Sequence, residues 1–326
     1  LKNDRLASQL SAMLPGSLSG TLSARATVEI TGTASLGAQR STVFLDLVDG
    51  EERVAAVAQI AATVLAHADT RTEARLLREA ARAGVPVPEL IAWDAASGTI
   101  LTRRVEGDSI PRRILRRVEA QPHLGPRLAA DCGRALASIH QIPTDGFTSL
   151  PDYRDPFCYA NELEAGLDAL PSAMPSLRLG LRWLRRNAPE PPDRSAIVHG
   201  DFRNGNLLVS DAGLAAVLDW ELAHLGDPME DLAWLCLRTW RFGADRLEVG
   251  GFALRAPLQE AYEAAGGIWR EEAFHWWSVA RTLWWGLGLA RQAQAFLDGE
   301  SNSIVLAASG RRVVELEYDL LTAIGD

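Results

Sequence analysis

Polar and apolar positions alternate with period two through much of the first third of the chain, and with a helical period through most of the rest. Residues 4–14 read as a short helix that Pro15 and Gly16 end. Ala26–Ile30, Thr42–Val48 and Val54–Ala58 read as strands, the last two joined by a hairpin turn at Asp49-Gly50. Arg71 to Ala83 reads as a helix, opened by a capping box of Thr70 and Glu73 and stopped by Gly84, Pro86 and Pro88. Helical spacing puts Glu73 on one face with Leu76, Leu77 and Ala80, which makes it the carboxylate of this helix aimed at the body of the protein. Leu90–Trp93 and Thr99–Thr102 complete the strands around a turn at Ser97-Gly98, and Arg103 to Asp108 reads as a connector.

Beyond Ser109 the pattern becomes helical: Arg127 to His140, then 176–187, 228–240, 254–265, 271–295 and 309–323. His140 is expected to be a hydrogen-bonded core histidine, because no second histidine lies at metal spacing. Trp276-Trp277 and Trp284-Trp285, two turns apart, are expected to face one way, as core or as the aromatic wall of a substrate pocket. One stretch breaks the helical pattern. Ala196-Ile197-Val198 reads as a short strand delivering His199-Gly200-Asp201 to a loop. Leu207–Val209 and Ala215–Leu218 then pair about a turn at Asp211-Ala212-Gly213. That hairpin places Asn206 and Asp219 close together, at the start of one strand and the end of its partner.

At 326 residues the chain is long enough for two domains. A net charge of −9 argues against general nucleic-acid binding and tolerates a cationic substrate. Of the 33 basic residues only Lys2 is a lysine, so any mechanism that needs a buried lysine is in difficulty. Cys132, Cys158 and Cys236 are far apart and read as reduced, packed thiols. No apolar run approaches the ~18 residues of a membrane span, and residues 1–14 lack the charged head and apolar core of a signal sequence. The expectation is a cytoplasmic protein with neither nucleic acid nor membrane as partner; the sequence leaves its oligomeric state open.

Asp201, Asn206 and Asp219 form a set: one candidate base and two oxygen ligands for a hard cation such as Mg²⁺. Phosphoryl transfer needs this set, with a metal neutralising phosphate charge and a carboxylate orienting or deprotonating the acceptor hydroxyl. The small polar run Thr31–Ser41 is either a phosphate-covering loop or a plain connection. Gly32 and Gly37 have Walker spacing, but Ala38-Gln39 stands where Lys-Ser/Thr is required, which excludes a P-loop. Arg112, Arg113, Arg116 and Arg117 cluster on one helical face, as a solvated surface or a dock for a phosphate-bearing substrate.

His199-Gly200-Asp201 with Asn206, then Leu218-Asp219-Trp220-Glu221, then Gly226-Asp227-Pro228 with Asp231-Leu232-Ala233-Trp234, resembles the aminoglycoside phosphotransferase and choline kinase-like family. Within it the chain is most similar to the kinase-like domains associated with acyl-CoA dehydrogenases. The likeness extends over Val85-Pro86-Val87-Pro88, Arg104-Val105-Glu106-Gly107 and Gly310–Glu315. The resemblance implies an α+β, two-lobed protein-kinase-like fold, with a small β-rich N-lobe carrying one main helix and a larger helical C-lobe. Residues 1–102 would be the nucleotide-binding lobe, 103–108 the hinge and 109–326 the helical lobe with catalytic loop and substrate site. By motif position Asp201 would be catalytic, and Asn206 and Asp219 would hold Mg²⁺. His199 and Asp231 would support the loop. Gly37, Ala38, Arg40 and Ser41 would cover the phosphates of ATP, and Arg103 to Val105 would meet its adenine. The implied activity moves the γ-phosphate of ATP to a hydroxyl of a small molecule, a hydroxyacyl-CoA or an aminoglycoside-like acceptor.

The sequence departs from the family at the third strand. There a Lys or Arg grips the phosphates and pairs with the helix Glu, here Glu73. In this chain the position falls on Val57 or Gln59, which share one side of the strand, and neither is cationic. Gln59 or Arg40 would have to replace the cation. The alternative is a nucleotide-binding, pseudokinase-like module with little or no catalysis. A metal-dependent hydrolase using the same carboxylates is a third reading.

Overall fold

The computed structural model describes residues 2–14, 26–33, 40–61 and 69–325. Its contacts divide the chain into two compact units: Leu1–Ser109 with Asn206–Ala223, and Ile110–Gly205 with His224–Asp326. A simple cut at the connector therefore leaves out one segment: the 206–223 hairpin, expected in the helical part, groups with the first unit.

The first unit is built on an antiparallel sheet in the order β1-β2-β3-β5-β4 (β1 Thr27–Thr33, β2 Arg40–Asp49, β3 Glu52–Ala61, β4 Leu90–Asp94, β5 Thr99–Arg103). Asp49 pairs with Glu52 to close the β2–β3 hairpin, and Gly50 takes the positive φ of 65° that such a tight turn demands. One face is dry: Val43, Leu45, Leu47, Val54, Ala56, Ala58 and Leu101 pack with Leu10 and Leu14 from the N-terminal segment that contains α1 (Lys2–Met13). The other face, carrying Thr42, Phe44, Ala55, Val57 and Gln59, is only half-buried or exposed. Helix α2 (Thr70–Arg82) packs on β4 and β5 and buries Glu73, Leu76, Leu77 and Ala80 as the periodicity predicts. Its cap differs from the expected one. Asp69 is the N-cap, its carboxylate accepting the Arg71 amide at 3.2 Å, and Thr70 is already helical. A carboxylate is a strong acceptor at a helix start and is favoured by the helix dipole.

The hairpin β7 (Leu207–Ser210) and β8 (Gly213–Val217) is stitched into this unit by backbone bonds. Asp108 and Val209 exchange N–H···O bonds of 2.8 and 2.9 Å, and the Val217 amide donates to the Pro86 carbonyl at 2.8 Å. Gly107 allows the crossing, since a Cβ there would sit 2.9 Å from both Leu208 Cγ and the Val209 carbonyl oxygen.

The second unit is helical: α3 Pro111–Ala120, α4 Leu124–His140, α5 Pro156–Asp168, α6 Pro175–Arg186, α7 Met229–Cys236, α8 Arg255–Ala264, α9 Glu271–Leu297, α10 Ile304–Ser309 and α11 Val313–Gly325. Two short strands, β6 Ala196–Val198 and β9 His224–Gly226, pair antiparallel. The helix expected over 228–240 stops at Cys236 and resumes as a 3-10 turn at Arg238–Trp240. The long α9 is the axis, touching α5, α6, α7, α10 and α11. Its tryptophans do not form one stripe. Trp276 bonds the Leu184 carbonyl, Trp277 packs edge-on to Tyr159, and Trp284 and Trp285 pack on Trp234. The reason is geometric: residues nine apart, such as Trp276 and Trp285, lie on opposite sides of a helix of ~3.6 residues per turn. Arg112, Arg113 and Arg116 are exposed on α3, which buries Ile114 and Val118. Cys132 and Cys236 are buried free thiols, while Cys158 is exposed rather than packed.

Candidate active site

In the second unit, strand β6 ends where the chain must turn, and Gly200 turns it with φ +77°. The loop that follows is held by buried side chains. Asp231, in the first turn of α7 and fully buried, accepts the His199 amide at 2.7 Å through Oδ2 and the Gly200 amide at 2.9 Å through Oδ1. His140 Nε2 lies 3.2 Å from Asp231 Oδ2, and its Nδ1 is 3.0 Å from the Tyr262 hydroxyl. Burial alone would raise the Asp231 carboxyl. The hydrogen bond to His140 and the His199 amide oppose this and hold it below its ordinary value. His199, also fully buried, accepts the Asp201 amide at Nδ1 at 3.2 Å.

The Asp201 carboxylate is fixed as well. Its Oδ1 accepts the Trp234 indole N–H at 2.9 Å and Arg203 Nε at 2.9 Å, and Arg203 in turn stacks over Trp240 at 4.4 Å. Sequence reasoning gave neither Trp234 nor Arg203 a role. Trp234 stood in the motif, but nothing in the spacing tells which way an indole N–H points. A half-open cavity of about 1050 Å³ in this unit is lined by His140, Asp227, Tyr262 and Arg270 and does not include Asp201.

In the first unit, Asn206 precedes β7 and is buried, and its carbonyl accepts the Leu218 amide at 2.9 Å, which sets it opposite Leu218, the residue before Asp219, at the open end of the hairpin. Asp219 has φ +69°, a left-handed conformation costly for a residue with a Cβ and typical of functional positions. One carboxylate and one amide oxygen suit Mg²⁺, which keeps several waters and takes few protein ligands. Among the described residues no group of three or more His, Cys, Asp and Glu side chains forms a metal site.

The nucleotide-site candidates are divided. Gly37 and Ala38 lie outside the described residues, as does the Arg40 side chain. Ser41 pairs with Ile60, and Gln59 sits on the half-buried sheet face between Thr42 and Ile100. Glu73 is 2 % exposed. The Arg103 amide and guanidinium are both taken by Glu89, at 2.8 and 2.7 Å, while Val105 is half-buried in the connector. Arg104 is expected from the sequence only as part of the Arg103 to Val105 backbone, with no role for its side chain. Its amide bonds the Ala55 carbonyl, and its guanidinium reaches 5.3 Å from the ring of Phe44, the cross-strand neighbour of Val57. The connector thus lays a cation on the sheet face whose third strand lacks one.

The profile of the phosphotransferase enzyme family (APH) matches residues 33–275. The chain belongs to that family. Among its relatives is acyl-CoA dehydrogenase family member 10 of mouse, 33% identical over 185 residues, which make up 53% of this chain and 17% of the mouse protein. Among solved structures, a provisionally named aminoglycoside phosphotransferase of Ralstonia eutropha JMP134 is 19% identical with a TM-score of 0.72, over 99% of this chain and 98% of that one. A thermostable mutant of aminoglycoside phosphotransferase APH(4)-Ia, in ternary complex with AMP-PNP and hygromycin B, is 16% identical with a TM-score of 0.60, over 90% and 94%. The fold is accordingly the α+β, two-lobed kinase-like fold of the phosphotransferase family. Among the described residues no helix is long and apolar enough to cross a membrane.

Proposed function

We propose that the chain is an ATP- and Mg²⁺-dependent phosphotransferase that moves the γ-phosphate to a hydroxyl of a small molecule. The observation that carries this reading is the fixed Asp201: its loop amides are held by a buried carboxylate and its own Oδ1 by two N–H donors. A carboxylate fixed in direction is suited to accept a proton from an acceptor hydroxyl that binds beside it. The acceptor O–H would lose its proton to Asp201 as its oxygen forms a bond to the γ-phosphorus, the bond to the bridging oxygen breaks, and ADP leaves. Asn206 and Asp219 would hold Mg²⁺, which supplies neutralisation of phosphate charge. Arg104 and Gln59 are the polar groups proposed to bind the nucleotide, with Val105 offering backbone to the base and Gly37, Ala38, Arg40 and Ser41 covering the phosphates. His199 and Asp231 support the loop. The bound ATP analogue of the APH(4)-Ia complex supports ATP as co-substrate. The acyl-CoA dehydrogenase relative favours a hydroxyacyl-CoA over an aminoglycoside-like acceptor.

A second reading is favoured by one observation: neither Val57 nor Gln59 is a cation. In that case the chain binds Mg-nucleotide without transfer. Purified protein with Mg-ATP and a panel of hydroxylated acceptors, followed by ADP formation and mass spectrometry of the acceptor, separates the two. Phosphorylated acceptor supports the kinase. Nucleotide binding by calorimetry with no product across the panel supports the binding module.

A further inference from the structure

Arg281 lies in the middle of α9 and is buried, its side chain 3% exposed. Its guanidinium lies against two indoles set edge to face, 4.2 Å from the ring of Trp234 and 4.1 Å from that of Trp284, whose planes are 80° apart. In its own plane Nη1 donates to Glu230 Oε1 at 2.9 Å and to the Tyr159 hydroxyl at 3.2 Å, and Nη2 donates to the Gly200 carbonyl at 2.6 Å. Nε has no partner. Taking a cation out of water is costly, and an ion pair with Glu230 alone does not recover that cost as well as a packed apolar pair would. The remaining contacts indicate what the charge does there.

Two of them lead to Asp201. Gly200, the residue before it, is gripped on both sides of its peptide units: Asp231 takes its N–H and Arg281 takes its C=O. Trp234, whose ring lies 4.2 Å from the guanidinium carbon, donates its N–H to Asp201 Oδ1. One route runs through the backbone and the other through a side chain, and Arg281 is common to both. A guanidinium suits this job better than an ammonium, because it can lie against aromatic rings while its N–H groups bond a carbonyl and a carboxylate at once.

We infer that Arg281 is a positioning residue, fixing the direction of the Asp201 carboxylate by clamping the Gly200 carbonyl and the Trp234 indole. This rests on the reading of Asp201 as proton acceptor; the clamp itself is a property of the fold and is measurable without activity. The competing account is a core ion pair with no bearing on the loop.

The test removes both members of the ion pair together, in Arg281→Met/Glu230→Gln, so that neither is left as a lone buried charge, and Gln keeps a polar group against His224 Nε2, which lies 3.0 Å from Glu230 Oε2. Arg281→Lys keeps the charge and loses the fork. In the double variant kcat should fall about 10²-fold, since a misplacement of about 1 Å costs that much, while KM for ATP and the melting temperature stay near wild type. Arg281→Lys should fall between the two. Hydrogen exchange over residues 197–205 should quicken in both variants, with that of α4 unchanged. Wild-type kcat, or a loss confined to KM, in a folded double variant overturns the inference. Should the wild-type protein transfer no phosphate at all, the kinase reading fails. Exchange then decides the clamp alone: faster exchange at 197–205 upholds it and unchanged exchange overturns it.

Discussion

At the residue scale, three aspartates do different work and should fail differently. Asp201 is ordered by donors, and on the proposed reading Asp201→Asn loses about 10²–10⁴-fold in kcat while Mg-ATP binding by calorimetry is retained; wild-type turnover in that variant removes Asp201 from the chemistry. Asp231 is a buried carboxylate that serves two amides and a histidine. Its folded value lies below the unfolded one. The stability it contributes is therefore complete above an unfolded carboxyl value of about 3.9 and is lost as pH falls through the folded value. Melting curves followed from neutral pH downward should show wild type losing stability below about pH 4 more steeply than Asp231→Asn, which starts lower by about 3 kcal/mol and lacks that titration. Parallel curves would mean that Asp231 is not the group being protonated. Asp219 is the strained one, at φ +69°. Replacing it by Gly or by Ala deletes the same carboxylate, but only Ala keeps a Cβ in the left-handed region. Asp219→Gly should therefore be more stable than Asp219→Ala by about 1 kcal/mol in denaturant titrations, with turnover lost in both.

At the element scale, period and punctuation made strands, hairpins and most helices legible, whereas side-chain direction was not. The β2–β3 turn at Asp49-Gly50 and the buried face of α2 follow from pattern alone, because backbone geometry and burial impose them locally. The α2 cap went to Asp69 because two adjacent residues could serve and only their competition decides. The tryptophans of α9 were misread as one stripe because two adjacent pairs spread around a helix rather than along it. Arg203, Trp234 and Arg281 escaped notice for a common reason: each acts on a residue that only tertiary packing brings near. Arg104 is the same lesson in the sheet. The third strand reads as lacking a cation, but the connector lays one over Phe44, across Val57. If that guanidinium serves the nucleotide, Arg104→Ala raises KM for ATP about tenfold, the worth of one charge-assisted hydrogen bond, and Arg103→Ala, whose side chain is spent on Glu89, changes it little. Equal KM values for wild type and Arg104→Ala would return the question to Gln59 and Arg40.

At the scale of the whole molecule, the division into units cuts across the central motif. Asp201 belongs to the second unit and Asn206 and Asp219 to the first, although only four residues separate Asp201 from Asn206 in the chain. The reason lies in the backbone of the hairpin: Val209 bonds Asp108 in both directions and Val217 bonds Pro86, so strands that read as part of the helical region are completed by residues far upstream. Sequence spacing places the three motif residues on one stretch, and the peptide hydrogen bonds then assign them to different bodies. A fragment of residues 110–326 retains the whole motif and loses every partner the hairpin has in residues 1–109. In it the Val209 and Val217 amides should exchange at nearly the rate of an open chain, while the amides of His199 and Gly200, whose acceptor Asp231 travels with the fragment, stay protected. Protection of Val209 and Val217 equal to that in the full chain would show the hairpin to be self-sufficient. The proposed metal pair Asn206–Asp219 would then be organised by the motif alone rather than by the first unit.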